Sequence, residues 1–120
     1  MNIVLWIIQI LLAAFFLTVG SIKLVLRKDK LAKVFEWIDD FSENKIKLIG
    51  TVEILGALGL FLPGVYSIGQ VLIPLAAVGL AVMMVLAALT HYNRTEKPEV
   101  IFNIVILVLL TIVVIGRLAL

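Results

Sequence analysis

Residues 46–62 read IKLIGTVEILGALGLFL, an apolar run of 17 residues interrupted by one carboxylate, Glu53, and followed at once by Pro63-Gly64. Whether this run crosses a bilayer sets the topology of everything around it. A spanning helix needs about 20 mostly apolar residues, with about 17 the lower end of the range, to cover about 30 Å of hydrocarbon. Residues 3–26, 66–90 and 100–120 meet that length easily. Counting 46–62 as the fourth span puts the polar segments 27–47 and 91–99 on one side and both termini on the other. The charges agree with that parity. Arg27, Lys28, Lys30, Lys33, Lys45, Lys47, Arg94 and Lys97 fall on the first side, and Arg117 alone lies near the second. Only Lys and Arg count in the positive-inside rule, so loops 27–47 and 91–99 are expected to be cytoplasmic. The expectation is a multi-pass protein of the cell membrane with both termini on the opposite side.

Composition leads to the same solvent. The chain is 63% hydrophobic and 15% charged, with a mean hydropathy of +1.23, more apolar than a soluble domain of 120 residues could hide. The predicted fold class is all-α, a single membrane four-helix bundle over residues 1–120. The first stretch has no basic n-region and no persuasive small-residue cleavage site, and it is read as a retained helix. Pro63-Gly64 is expected to form a tight turn that makes the second and third spans antiparallel neighbours. The basic surface suits anionic headgroups, and with no basic domain clear of the bilayer a nucleic-acid partner is not expected.

Between the first two spans, Leu31, Val34, Phe35, Ile38 and Phe41 recur at helical spacing, Asp29 is placed to cap, and Asn44 is placed to stop. The pattern predicts an interfacial amphipathic helix over about 30–42 that lies in the headgroup region with Trp37 at the boundary. A partner-binding surface and an ordinary loop are the alternatives.

The polar groups within the spans carry most of the functional information, because a charge near the centre of a spanning helix costs about 2.5–3.5 kcal/mol and usually faces the bundle interior. Glu53 shares a helical face with Gly50, Gly56 and Ala57, small residues that admit a neighbouring helix. Lys23, one turn after Gly20, has three readings: it snorkels to the interface, pairs with Glu53, or binds a ligand. For Glu53, a structural pair or a neutral hydrogen-bonded carboxyl stands beside a binding or proton-relay role. His91 ends the third span after Ala81, Met84, Ala87 and Ala88, either satisfying the last carbonyls or facing the same site. Asn103 completes a candidate polar cluster with Lys23, Glu53 and His91, and Thr111 is expected to continue its inward face. Gln9 and Gln70, nearer the termini, are expected to be interhelical hydrogen-bonders.

The chain has no cysteine, hence no disulfide and no thiol nucleophile. One histidine and one glutamate make a poor metal site, so no metal ligand is assigned. No P-loop, HExxH motif or Ser-His-Asp pattern occurs, so no catalytic residue is assigned and enzymatic activity stays open.

Gly20 followed by Lys23, then IGTVEILGALGL at 49–60, then Pro63, then AALTH at 87–91 resembles the DoxX-like membrane proteins over about the whole chain. The resemblance implies a four-helix integral membrane protein. Its relatives include the small subunit of a thiosulfate:quinone oxidoreductase, membrane partners of sulfur-handling and superoxide-detoxifying enzymes, and a distant animal chaperone for receptor assembly. Lys23, Glu53 and His91 match positions of the family motif. The chain departs from a self-sufficient oxidoreductase in lacking cysteine, a haem-ligand pair and a flavin motif, so membrane redox chemistry would require a partner.

Three readings follow. The first is an accessory, redox-associated subunit that binds a small amphipathic ligand, with a quinone as candidate, in a cytoplasm-facing polar pocket. Lys23 and His91 would hydrogen-bond its oxygens, while Glu53 sets their charge or relays a proton. The second is an assembly or chaperone module whose intramembrane charges are structural and whose helix faces grip a membrane or peripheral protein, or a second copy in a homodimer. The third and weakest is a small transporter, for which four helices enclose little room.

Overall fold

The structure, a computed structural model, describes residues 2–35, 38, 41–66 and 71–119. Five helices follow one another: α1 (Asn2–Val25), α2 (Lys28–Val34), α3 (Glu43–Tyr66), α4 (Leu72–Asn93) and α5 (Lys97–Ala119), with no strand among the described residues. All but α2 are long and apolar enough to cross a membrane. Their outward faces carry Ile7, Leu55, Val82 and Val105, all exposed. Helices satisfy their own backbone hydrogen bonds, and such faces suit lipid rather than water. The protein is a multi-pass membrane four-helix bundle.

Leu12, Phe16, Leu60, Leu80 and Leu110 form its central core. α1 packs closely on α3, and α4 on α5. The α1–α3 contact is backbone on backbone: a Cβ built on Gly20 would lie 2.8 Å from the Gly50 carbonyl oxygen, and one on Gly50 2.9 Å from that of Gly20. Neither position tolerates a side chain without separating the helices. The two helix pairs approach each other closely nearer the termini, where Gly56 meets Leu80, Gly59 meets Ala76, and Gly116 meets Leu5. Toward the loops, long side chains bridge the pairs, with Phe15 and Phe102 at 5.3 Å between ring centroids.

The segment between the first two spans differs from expectation. The helix covers only Lys28–Val34, its cap residue is Arg27 with no side-chain cap, and Phe35 is already extended. Asp29 therefore sits in the first turn rather than at the cap. Leu31 and Ile38, 1% and 0% exposed, pack with Ile46 in a second core, against Ile22, Leu26, Phe35 and Phe41. The apolar periodicity has a physical basis, but it serves packing on the ends of α1 and α3, and that packing overrides helical continuation. Trp37 lies outside the described residues.

Two further boundaries move. Asn44 lies in the first turn of α3 instead of stopping a preceding helix, and α3 continues through Pro63 and Gly64 to Tyr66. Proline removes one donor near the end of this helix, a loss that a membrane helix absorbs more readily than an open turn in hydrocarbon would. The reversal to α4 therefore comes after Tyr66, and α3 and α4 are neighbours as expected.

Candidate functional site

Near the loop ends of the helices, the space between the two helix pairs forms a cavity of about 510 Å³. Lys23 from α1, Glu53 from α3, His91 from α4 and Asn103 from α5 all line it, together with the apolar Phe15, Val19, Met83, Met84 and Phe102. The four polar residues named from the sequence are thus brought together from four separate spans.

Each is held differently. Lys23 Nζ lies 2.8 Å from Glu53 Oε1, and the two residues are 6% and 3% exposed. Of the three readings of Lys23, the ion pair is the geometry observed. The pair sits next to the Gly20–Gly50 contact, which brings α1 and α3 near enough for a lysine and a glutamate to meet. The Lys23 ammonium also lies 5.6 Å from the centroid of the Phe35 ring, a cation–π approach that places aromatic surface at the mouth of the cavity. A buried pair of this kind stabilises only weakly against an apolar replacement, yet it is costly to break on one side only.

Lys47 supports the same corner from outside the cavity. Its Nζ donates to the carbonyl oxygens of Lys23, Leu24 and Leu26 at 3.2, 2.8 and 3.4 Å. Lys23 and Leu24 belong to the last turn of α1, whose carbonyls have no partner within the helix, and Leu26 follows just after it. A cation there satisfies them and complements the helix dipole.

His91 Nδ1 lies 2.8 Å from Glu96 Oε1, which also accepts from Arg94 Nε at 3.0 Å. Backbone geometry delivers Glu96 to this position. The Glu96 N–H bonds back to the His91 carbonyl at 2.9 Å and the Thr95 N–H to that of Tyr92 at 3.1 Å, the paired bonds of a Schellman ending. That ending needs a left-handed residue, and Thr95 supplies it with φ of 61°. A β-branched residue is strained there. The strain turns the chain so that a carboxylate five residues after His91 folds back onto its imidazole.

Asn103 points inward, and its Nδ2 donates to Met84 Sδ at 3.6 Å. Its Oδ1 is buried and has no hydrogen-bond partner. Thr111 does not continue this face. It is exposed, and its hydroxyl donates to the Leu107 carbonyl of its own helix. Eight residues advance a helix by two turns and about 80°, enough to carry Thr111 off the Asn103 face.

Glu96 and Glu99 also line the cavity, and sequence reasoning named neither. Glu96 stands in a loop among other charges, and only the Thr95 backbone directs it to His91. In the sequence Lys47 is one of several loop cations, and nothing in its spacing marks it as the cap of another helix.

At the other end of the bundle a separate polar clasp joins three helices. Gln9 Nε2 donates to the Leu60 carbonyl at 2.6 Å, Gln9 Oε1 accepts from Arg117 Nε at 2.5 Å, and Arg117 Nη1 donates to Asn2 Oδ1 at 2.6 Å. The Arg117 guanidinium also lies 5.3 Å from the Trp6 ring centroid. Gln9 is the interhelical hydrogen-bonder expected, whereas Gln70 lies outside the described residues.

Among curated proteins and among solved structures, nothing matches the chain. The family model described as the DoxX-like family matches residues 7–113, which reach into every span and include all four polar residues of the cavity, and the chain belongs to that family.

Proposed function

We propose that this protein is an accessory membrane subunit that binds a small amphipathic molecule, quinone-like in build, in the cavity between its two helix pairs. One observation carries the reading: four polar side chains from four spans and a set of aromatic and thioether side chains line the same space of about 510 Å³. That size lies within the range of small-molecule sites, and the mixture of a few convergent polar groups with apolar walls suits a ring bearing oxygens and a hydrocarbon tail. Lys23 and His91 address the ligand oxygens, Asn103 adds a contact, and Glu53 holds the Lys23 charge in place or relays a proton. The charge asymmetry of the loops makes this the cytoplasmic end, with the termini across the membrane. The electron-transfer chemistry belongs to a membrane or peripheral protein partner.

The test is a binding measurement on the purified protein in lipid nanodiscs, with a decyl-chain benzoquinone supplied in both redox forms. Saturable binding of either form, lost in Glu53→Gln while far-UV circular dichroism is unchanged, supports the reading. Absence of binding in both forms sinks it.

A second reading, an assembly module, draws on a different feature. Gly56, Gly59, Ala76 and Gly79 line an apolar groove between α3 and α4, and a Cβ on Gly79 would meet nothing within 4 Å. Such a face admits a further transmembrane helix, from another protein or from a second copy. Capture of a partner that survives Glu53→Gln and His91→Ala but not Gly79→Leu favours this reading.

A further inference from the structure

The hydrogen-bonding character of the α4 and α5 walls narrows the ligand class. This step rests on the amphipath reading above. Thr90, His91, Glu99 and Asn103 are the polar groups those two helices contribute to the cavity. Thr90 donates its hydroxyl proton to the Leu86 carbonyl at 3.0 Å, so its oxygen retains acceptor capacity alone. Glu99 as a carboxylate only accepts. Asn103 directs its amide N–H at Met84 Sδ and leaves Oδ1 buried without a partner.

His91 fits the same pattern. Glu96 Oε1 accepts from Arg94 Nε and lies 2.8 Å from His91 Nδ1. A carboxylate cannot donate, so Nδ1 carries the hydrogen, and in the neutral imidazole Nε2 is then a bare acceptor. On the opposite wall the Lys23 ammonium is directed at Glu53 Oε1. The half of the cavity built by α4 and α5 therefore presents mainly acceptors, the second N–H of the Asn103 amide being its remaining side-chain donor. A buried acceptor left unsatisfied is costly, and a ligand that donates relieves that cost.

We infer that the cavity selects a hydroxyl-bearing amphipath, a phenol or diol, over the corresponding ether or carbonyl compound, with His91 and Asn103 accepting from its hydroxyls. For a quinone-like ring, the preferred form is the reduced, dihydroxy one. Glu96 acts as a positioning residue, because it fixes which imidazole nitrogen bears the proton.

A redox-inert pair of probes tests this without interference from oxidation: a decyl-substituted 1,3-diphenol and its dimethyl ether, titrated against the full-length protein in nanodiscs. The expected result is at least about tenfold tighter binding of the diphenol, because sites built to pair a hydroxyl reject analogues that lack it. Asn103→Leu should weaken the diphenol and leave the ether unchanged. Glu96→Leu removes the acceptor that holds the hydrogen on Nδ1 and frees the choice of imidazole tautomer, so the preference should shrink. An ether that binds as tightly as the diphenol overturns the donor inference while leaving the amphipath reading standing. If neither probe binds and neither form of the decyl-chain quinone binds, both fall together.

Discussion

Lys23 Nζ and Glu53 Oε1 stand 2.8 Å apart beside the point where the backbones of α1 and α3 touch at Gly20 and Gly50. The two features depend on each other. Without side chains at the glycines, the helices come close enough for a short, nearly dry ion pair, and the pair in turn gives both charges a partner inside an apolar bundle. Removing one partner leaves the other charge without this counter-ion at this depth.

Removing one partner should therefore hurt more than removing both. Lys23→Met or Glu53→Leu alone should destabilise the bundle by about 3–5 kcal/mol, whereas the double variant should lie near the wild type or above it. Reversible unfolding in mixed micelles, followed by far-UV circular dichroism, measures this. A double variant no more stable than the worse single one would show that the pair is not the coupled unit described.

Lys47 caps the end of α1 from α3 and should matter for local order more than for the cavity. Lys47→Met should cost about 1.5–3 kcal/mol, the scale for hydrogen bonds that involve a charged group. Faster hydrogen exchange of the amides in the last turn of α1 should accompany it, with α4 and α5 unaffected. Uniform acceleration across all helices would argue against a local capping role.

Thr95 holds a left-handed conformation at the turn that carries Glu96 to His91. Thr95→Gly should leave the turn intact and raise stability by about 1 kcal/mol, because glycine adopts positive φ without the side-chain penalty. A higher unfolding midpoint with unchanged ligand selectivity is the expected outcome. A loss of stability would mean that the threonine side chain contributes something beyond its backbone angle.

The chain contains no cysteine, so single replacements report sidedness cleanly. In intact cells, Lys45→Cys should resist a membrane-impermeant maleimide and Leu118→Cys should react, as the positive-inside rule requires for cytoplasmic loops. The reverse labelling pattern would invert the proposed orientation and move the cavity to the other leaflet.

What was legible in the sequence was whatever stood out against apolar surroundings. Glu53, Lys23 and His91 are conspicuous because lipid-spanning helices rarely carry ionisable groups, and the small residues beside them indicate which way they face. The features that escaped notice depend on backbone direction or distant packing. Glu96 reaches His91 only because a threonine takes a conformation usually given to glycine. Lys47 finds the carbonyls of α1 only because α3 begins at Glu43, earlier than its apolar run suggests. The interfacial segment shows the same limit. Its periodicity marked Leu31 and Ile38 as apolar-facing, but not that the surface they face is the protein itself.

The clasp of Gln9, Arg117 and the Leu60 carbonyl fastens α1, α3 and α5 at the end away from the cavity. Because α1 and α3 form one helix pair and α5 belongs to the other, these hydrogen bonds tie the two pairs together at the terminal end, independently of the Lys23–Glu53 ion pair at the loop end.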